Sequence, residues 1–213
     1  MSNAEAMQLN ESVLSDAPSG REQEVLSAVL DLMVEEGDGF SMAAVAKRAS
    51  CSKETLYRWY GDRDGLLTAT VKWQASKVIM PEMGSGPVTL EKFSETLKLF
   101  AVSWLTVLTG EISIALNRLA VSHASNHKSN LGEIVLANGP LGMKERLRPI
   151  FEQGRQAGLI GVGSEEGFRQ FFGLVIADAQ IRALLGDTSI PDRTEIEIYA
   201  EKAVDSFLRL NSE

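Results

Sequence analysis

Two short helix-forming segments separated by about three residues constrain the fold of this chain more than any other feature. The first runs from Met42 to Ala49, where a narrow apolar stripe recurs at helical spacing behind a capping serine, Ser41. The second follows Ser52, which can cap a helix that continues to about Tyr60. Two short helices joined this closely are typical of a helix-turn-helix, whose second helix inserts into the major groove of DNA.

The charge of the whole chain opposes nucleic-acid binding, whereas the charge of this region favours it. Lysine and arginine number 21 against 29 aspartate and glutamate, and this net charge of −8 argues against binding a polyanion with the whole surface. Between residues 47 and 63, five cations stand against two carboxylates, Glu54 and Asp62. The cations are Lys47, Arg48, Lys53, Arg58 and Arg63. Charge alone indicates a helix surface in contact with solvent. Because these cations lie on a helix-turn-helix, however, we interpret them as a basic patch that binds DNA.

The residues around the two helices also carry a family pattern. The pattern consists of Val45-Ala46 in the second helix, Ser52-Lys53-x-Thr55-Leu56-Tyr57 in the third, and Tyr60-x-Asp62-Arg63-Asp64-x-Leu66 after it. In these positions the chain resembles the DNA-binding domain of TetR-type transcriptional regulators. The resemblance is close over about 45 N-terminal residues and extends to the rest only in helix layout. The chain departs from the family at Ser50, where a turn glycine is usual, and at Glu54, which adds an anion near the phosphates.

The third helix is the predicted recognition helix. Ser52 and Thr55 lie in its first turn, where hydroxyls and backbone amides can reach phosphates or base edges. Lys53 and Arg58 can neutralise phosphates, and Arg58 can also pair with guanine. We therefore expect this helix to supply both phosphate and base contacts.

Three further side chains complete the predicted contact set. Tyr57 can donate a hydrogen bond from its hydroxyl to a phosphate. For Trp59 two interpretations stay open, packing in the core and contact with DNA. The resemblance implies a phosphate contact for Arg63, because the matching lysine of the family makes one. The predicted DNA-binding residues are Ser41, Lys47, Ser52, Lys53, Thr55, Tyr57, Arg58, Trp59 and Arg63.

The remaining two thirds of the chain predict further helices. Thr89 can cap a long fifth helix, and helical periodicity recurs over residues 112–122, 143–156, 168–185 and 194–210. No hairpin signal interrupts, so the expected class is all-α: an N-terminal three-helix helix-turn-helix domain plus a larger helical ligand-binding and dimerisation domain. The expected boundaries are a flexible tail over residues 1–17, the DNA-binding domain over 18–66 and the larger domain over 67–213.

The last two predicted helices suggest assembly. The segment 168–185 is apolar on nearly all sides, so it must be buried on more than one side, and a continuous apolar stripe follows near the chain end. The resemblance implies that these helices pair with their copies in a four-helix interface of a homodimer, which would read a palindromic operator. The predicted interface residues are Phe168, Val175, Ala179, Ile196, Tyr199, Ala203, Phe207 and Leu210.

A set of apolar and aromatic residues in the larger domain has two interpretations. It can be a filled core, or it can line a pocket for the small hydrophobic effector that the resemblance implies. The predicted pocket residues are Phe100, Trp104, Leu116, Leu119, His123, Met143, Leu147, Phe151, Phe172 and Ile176. An effector wedged there would displace the fourth helix, which we expect to run from Asp64 to about Ile79, and would lower operator affinity. We expect a neutral or weakly charged compound, because few charged residues fall on inward positions.

Other functional classes find little support in the sequence. His123 and His127 are four residues apart, but no cysteine or acidic residue within a turn completes a metal site. The glycine-rich segment 161–167 follows no strand, and no Gly-x-Ser-x-Gly elbow occurs. We therefore expect no enzyme activity, no cofactor and no metal. Without a secretory signal or a run of about 18 apolar residues, and with one cysteine, a cytoplasmic protein without membrane contact is expected.

Two alternatives to a ligand-responsive repressor stay open at this level. The chain could be a DNA-binding regulator that senses a protein partner or no ligand. It could also be a small-molecule carrier or enzyme with a vestigial helix-turn-helix.

Overall fold

The computed structural model describes residues 18–84, 86–124, 130–187, 189 and 192–212, and within these ranges all regular secondary structure is helical. The helices are α1 (Gly20–Glu36), α2 (Met42–Arg48), α3 (Lys53–Tyr60), α4 (Arg63–Ser76), α5 (Leu90–Thr109), α6 (Glu111–His123), α7 (Leu131–Asn138), α8 (Pro140–Gln156), α9 (Ser164–Ile176), α10 (Ala179–Leu184) and α11 (Arg193–Asn211). A 3-10 turn at Gly37–Gly39 follows α1. The predicted all-α class is confirmed. The expected tail over residues 1–17 lies outside the described residues.

The chain forms two compact units, an N-terminal unit (Met1–Trp73) and a C-terminal unit (Gln74–Glu213). The division falls inside α4, whose 14 residues begin in one unit and end in the other. The N-terminal unit starts with a capping box, in which Ser19 N donates to Glu22 Oε2 at 2.8 Å and Glu22 N donates to Ser19 Oγ at 3.3 Å. Both donors lack partners inside the helix, so this reciprocal pair fixes the start of α1, as the sequence predicts.

The core of the C-terminal unit is built around α5, which packs against α6, α9, α10 and α11. Aromatic rings fill this core edge to face or tilted, with centroids 5.3 Å apart for Phe100 and Trp104 and 5.5 Å apart for Phe171 and Phe207. At the surface of the same helix pair, Lys98 on α5 bonds Glu201 on α11 at 3.0 Å. The hydrophobic periodicity of α5 is therefore used to build a dense interior.

The prediction of one continuous helix over residues 168–185 is wrong. The helix ends at Ile176, Ala177 adopts a positive φ of 38°, and the separate short helix α10 begins at Ala179. Arg118 on α6 holds the far end of α10, since its guanidinium donates to the carbonyls of Ala183 at 2.8 Å and Leu184 at 3.0 Å. These bonds fix the end of α10 as an element separate from α9.

The fourth helix is shorter than predicted. We expected it to continue to about Ile79, but α4 ends at Ser76. Arg146 on α8 donates to the carbonyl oxygens of Ala75 at 3.0 Å and Val78 at 2.5 Å. These bonds give a cationic partner to one carbonyl in the last turn and to one just beyond it, so the helix end is stabilised there. An additional helix, α7, was not predicted.

Within the described residues, no single helix is long and apolar enough to cross a membrane. The consecutive helices α5 and α6 pass that test of length and composition only as a pair, and the chain bends by 64° between them.

Gly154 on α8 allows this helix to approach the central helix closely. A Cβ atom at this position would lie 2.6 Å from the ring of Phe93, which is fully buried. We expect Gly154→Ala to lower the free energy of unfolding by about 1–3 kcal/mol, because the ring has no space into which to move. Urea unfolding at one fixed protein concentration measures this change.

Gly142→Ala, on the same helix, is the matched control, since its Cβ would lie at an ordinary distance of 3.4 Å from Ala137 O. Equal stability of the two variants would contradict the tight packing of α8 against Phe93.

Candidate functional site

Each of the two helices α2 and α3 begins at a serine whose side chain caps it. Ala44 N donates to Ser41 Oγ at 3.1 Å, and Thr55 N donates to Ser52 Oγ at 3.1 Å, so both predicted serine caps are present. Between them Ser50 adopts a positive φ of 50°, a conformation that a non-glycine residue rarely takes. This explains why a glycine is usual at this position in chains with the same pattern.

A residue outside the motif stabilises the turn. Arg21, in the first turn of α1, donates from Nη2 to Ala49 O at 2.6 Å and to Ser50 O at 2.8 Å. One guanidinium thereby satisfies two carbonyls at the end of α2, and the same side chain pairs with Glu24. Sequence reasoning missed Arg21, because no local pattern links it to residues 28 positions away.

The recognition helix α3 divides into a buried and an exposed side. Leu56 is fully buried, and the rings of Trp59 and Tyr60 are half-buried and meet edge to face with centroids 6.2 Å apart. On the other side Lys53 and Arg58 are exposed, and Tyr57 is 50% exposed. The helix therefore presents two cations and a phenol outward while its apolar side fixes its rotation.

The five cations counted in the sequence do not behave alike. Arg48 forms a two-point bond with Glu35, at 3.1 and 2.6 Å, and this bond lowers the pKa of the Glu35 carboxyl. The guanidinium of Arg63 lies 4.8 Å from the centre of the Phe40 ring. Lys47 and Lys53 are exposed and form no ion pair with any described residue. Arg48 is therefore less available to a phosphate than the exposed side chains of Lys47, Lys53 and Arg58.

Glu54 lies at the beginning of the recognition helix. A hydrogen bond from its own backbone amide, and then one from the Ser52 hydroxyl, lower the pKa of the Glu54 carboxyl. The ionised carboxylate thus lies beside the amides at the positive end of the helix dipole, where a phosphate would also bind. This arrangement disfavours indiscriminate phosphate binding at that end.

Tyr60 has an unusual environment for a phenol. Its hydroxyl is buried without a hydrogen-bond partner among the described residues, and burial raises the pKa of Tyr60. The half-buried ring belongs to the core side of α3, next to Trp59.

The residues predicted to line an effector pocket lie mostly in the packed core of the C-terminal unit. Phe100, Trp104, Leu116, Met143, Leu147, Phe151 and Ile176 are buried, while Leu119, His123 and Phe172 are half-buried. Trp104 contacts Phe172 with centroids 5.5 Å apart, and the His123 Nδ1 atom lies 3.0 Å from Leu119 O. Burial of this kind fits both alternatives, since the residues that line a closed pocket are buried as well, so the pocket stays a prediction. His127, which the sequence places four residues after His123, lies outside the described residues.

A cavity of about 470 Å³ lies in the C-terminal unit between the end of α5, α10 and the start of α11. Its lining residues are Leu105, Thr109, Asp178, Ala179, Arg182, Ser189, Glu195, Ile196 and Tyr199. No predicted pocket residue is among them, whereas three predicted interface residues are. The lining is also more polar than the predicted pocket, with an arginine that pairs with Asp187 at 2.5 Å.

The predicted interface residues separate into core and surface. The core members, which cannot present a surface to a partner in this conformation, are Phe168, Val175, Ile196, Ala203 and Phe207. Ala179 is half-buried, Tyr199 is exposed and Leu210 is 69% exposed. Further exposed apolar residues, which were not among the predicted interface residues, occur in the same part of the sequence, namely Ile181, Leu185 and Ile198.

Comparisons with known proteins also indicate a transcriptional regulator. Residues 95–210 match the family model described as the AefR-like transcriptional repressor C-terminal domain. A solved TetR transcriptional regulator from Agrobacterium tumefaciens is 39% identical, covers 91% of this chain and 95% of its own, and superposes with a TM-score of 0.78. The chain belongs to the TetR family of transcriptional regulators. It is a DNA-binding regulator, as the sequence resemblance implies.

Two further solved structures share the fold of this TetR-family regulator. One, a TetR-family transcriptional regulator from Mesorhizobium loti, is 23% identical, covers 91% of this chain and 97% of its own, and has a TM-score of 0.74. The other, the flavonoid-responsive regulator FrrA, is 24% identical, covers 90% and 97%, and has a TM-score of 0.67. No curated protein matches the chain.

Removing an exposed cation from α3 of this TetR-family regulator tests its DNA-binding surface. We expect Lys53→Ala to weaken binding to a duplex of random sequence and to flatten the slope of log K against log salt by about 0.9, the loss of one phosphate contact. Fluorescence anisotropy over a series of salt concentrations measures the slope.

Lys202→Ala, an exposed lysine on α11, is the control and should leave the slope unchanged. The same slope for wild type and Lys53→Ala would exclude Lys53 from the contact surface.

Proposed function

We propose that this TetR-family regulator is a cytoplasmic repressor that binds a palindromic operator as a homodimer and leaves it when a small hydrophobic effector binds the larger domain. The observation that carries the proposal is the recognition helix, because α3 is capped, anchored by Leu56 and exposes Lys53, Tyr57 and Arg58 on one side. In this proposal residues 18–66 bind DNA and residues 67–213 bind the effector and the second copy.

The DNA contacts divide by chemistry. Lys47 and Lys53 bind phosphates, and Arg58 pairs with a base edge or a phosphate. The hydroxyls of Ser41, Ser52 and Thr55 stand beside helix amides, while Arg63 contributes from the start of α4. The half-buried ring of Trp59 supports the packing alternative for that residue more than a DNA contact.

An exposed apolar surface on α10 and α11 supports dimerisation. Its most exposed members are Leu185, which is 81% exposed, and Leu210, and Ile181, Ile198 and Tyr199 also belong to it. An apolar set of this kind on the two last helices is the surface that a second copy would cover. Two recognition helices would then read two half-sites, which multiplies the affinity of one.

Two observations support release by a small molecule. The flavonoid-responsive FrrA shares the fold, and the C-terminal unit has a partly open cavity of ligand size beside α10. The effector would act through α4, since this helix begins beside the recognition helix in sequence and ends in the larger unit. The extent of release cannot exceed the effector's preference for the released conformation.

Charges placed on the apolar surface of α10 and α11 should have two effects: they should separate the two copies, and they should weaken operator binding. We expect the double variant Ile181→Glu with Ile198→Glu to sediment as a monomer at micromolar concentration, where the wild type is a dimer. In a mobility-shift assay at physiological salt, the wild type should retard DNA from upstream of its own reading frame, and the variant should lose most of that retardation.

The matched control is Val121→Glu with Leu136→Glu, because these residues are equally exposed but lie on α6 and α7. A double variant that stays dimeric would exclude this surface. A wild type that binds the upstream DNA no better than a scrambled duplex would contradict autoregulation through that site.

A further inference from the structure

One buried polar side chain of the C-terminal unit has a hydrogen-bonding group without a partner. Gln74, in the last turn of α4, is only 8% exposed. Its amide nitrogen donates to Ser113 Oγ on α6 at 3.0 Å, whereas its carbonyl oxygen Oε1 has no partner among the described residues. A buried carbonyl in this state lowers stability, because it has lost its hydration without gaining a replacement.

Exchanging the two ends of the amide does not remove the problem. With oxygen and nitrogen interchanged, the oxygen would accept from the Ser113 hydroxyl, and the nitrogen would be the end without a partner. The backbone of Ser113 is itself fixed, since Asn117 Nδ2 donates to Ser113 O at 2.7 Å. Either assignment therefore leaves one hydrogen-bonding position of Gln74 open.

Gln74 is not required to hold the end of its helix. That function belongs to Arg146, whose guanidinium donates to the carbonyls of Ala75 at 3.0 Å and Val78 at 2.5 Å. An apolar side chain of the same length at position 74 would fill a similar volume without the cost of an unpartnered amide. The amide is thus better explained by a ligand than by the fold.

We infer that Gln74, supported by Ser113, is a hydrogen-bonding subsite for a hydroxyl group on the effector. This inference rests on the proposed function, in which an effector enters the larger domain. A hydroxyl fits because it both donates and accepts, so it satisfies the open end of the amide in either assignment. The side chains linked to Gln74 by hydrogen bonds are uncharged. They are Ser113, then Asn117, and then Gln180, whose Nε2 donates to Asn117 Oδ1 at 3.4 Å. The subsite therefore favours a neutral alcohol or phenol.

The position of the subsite connects ligand binding to α4. A hydroxyl bound at Gln74 contacts the last turn of the helix whose first turn follows the recognition helix in sequence. Because the same turn is held by Arg146, a ligand that prefers a different position of Gln74 competes directly with these two carbonyl bonds.

A matched pair of probes tests the subsite. We would compare 2-naphthol with 2-methylnaphthalene on the full-length protein by fluorescence titration and thermal shift. A methyl group loses less hydration than a hydroxyl and is favoured by a purely apolar site. We expect the wild type to bind 2-naphthol at least about tenfold more tightly, and Gln74→Met to lose that preference while melting at the same or a higher temperature.

Gln180→Met is the control, because it removes the far amide of the same chain of contacts and should keep the preference for 2-naphthol. A Gln74→Met protein that melts several degrees lower would show that the amide is structural and would overturn the inference. An unchanged preference in Gln74→Met, or no preference in the wild type, would overturn it as well.

Operator binding separates this inference from the proposed function. Wild type and Gln74→Met should retard the same DNA with the same affinity, and only the wild type should be released preferentially by 2-naphthol. Equal release of both proteins by 2-naphthol would contradict the subsite alone. Failure of the wild type to bind any DNA duplex, with its preference for 2-naphthol intact, would contradict the proposed function alone.

Discussion

The DNA-binding surface depends on the turn between α2 and α3. In an α-helix one residue corresponds to a rotation of about 100°, so a slip of one residue would turn Lys53 and Arg58 away from the exposed side. Three interactions prevent it: the Ser52 cap, the left-handed conformation of Ser50, and the bonds from Arg21 to the two carbonyls at the end of α2. The positively charged surface therefore requires the turn, which fixes the rotation of α3, as well as the cations themselves.

The second constraint lies at the other end of α4. Its last turn is held by a half-buried arginine that has no carboxylate bonded to it in the described chain, and burial lowers the pKa of Arg146. The carbonyls at a helix C-terminus carry the negative end of the dipole, so they partly replace a carboxylate as partner. Because Arg146 belongs to α8, its bonds to these carbonyls link the position of α8 to that of the end of α4.

Local patterns predicted the fold well where the determinants are local. The capping serines Ser19, Ser41 and Ser52 are followed by residues that complete the cap three positions later, and each helix starts where its serine indicates. The break at Ala177 could not be predicted in this way, because neither glycine nor proline marks it. The residue that holds the far end of α10, Arg118, is also invisible to local patterns, because it lies 65 residues from Ala183 in the chain.

The larger domain shows where periodicity is insufficient. A helix that is apolar on several sides needs several partners, but α9 finds them in α5, α8 and α11 of the same chain, so its apolar character does not identify an interface. In the same way, the periodicity of Phe100 and Trp104 marks them as inward-facing and cannot distinguish a filled core from a cavity. Gln74 was missed because a single glutamine in an apolar helix has no local signal. Its importance depends on which of its atoms remain without partners after folding.

Hydroxyl-radical footprinting of the DNA upstream of the reading frame tests most directly whether two recognition helices read two half-sites. Two protected segments are expected, with centres separated by about 10–10.5 base pairs or a multiple of that spacing, because successive major grooves on one side of the duplex repeat with the helical turn. Protection of a single half-site by the wild-type protein would contradict the proposal of a homodimer that presents two α3 helices to a palindrome.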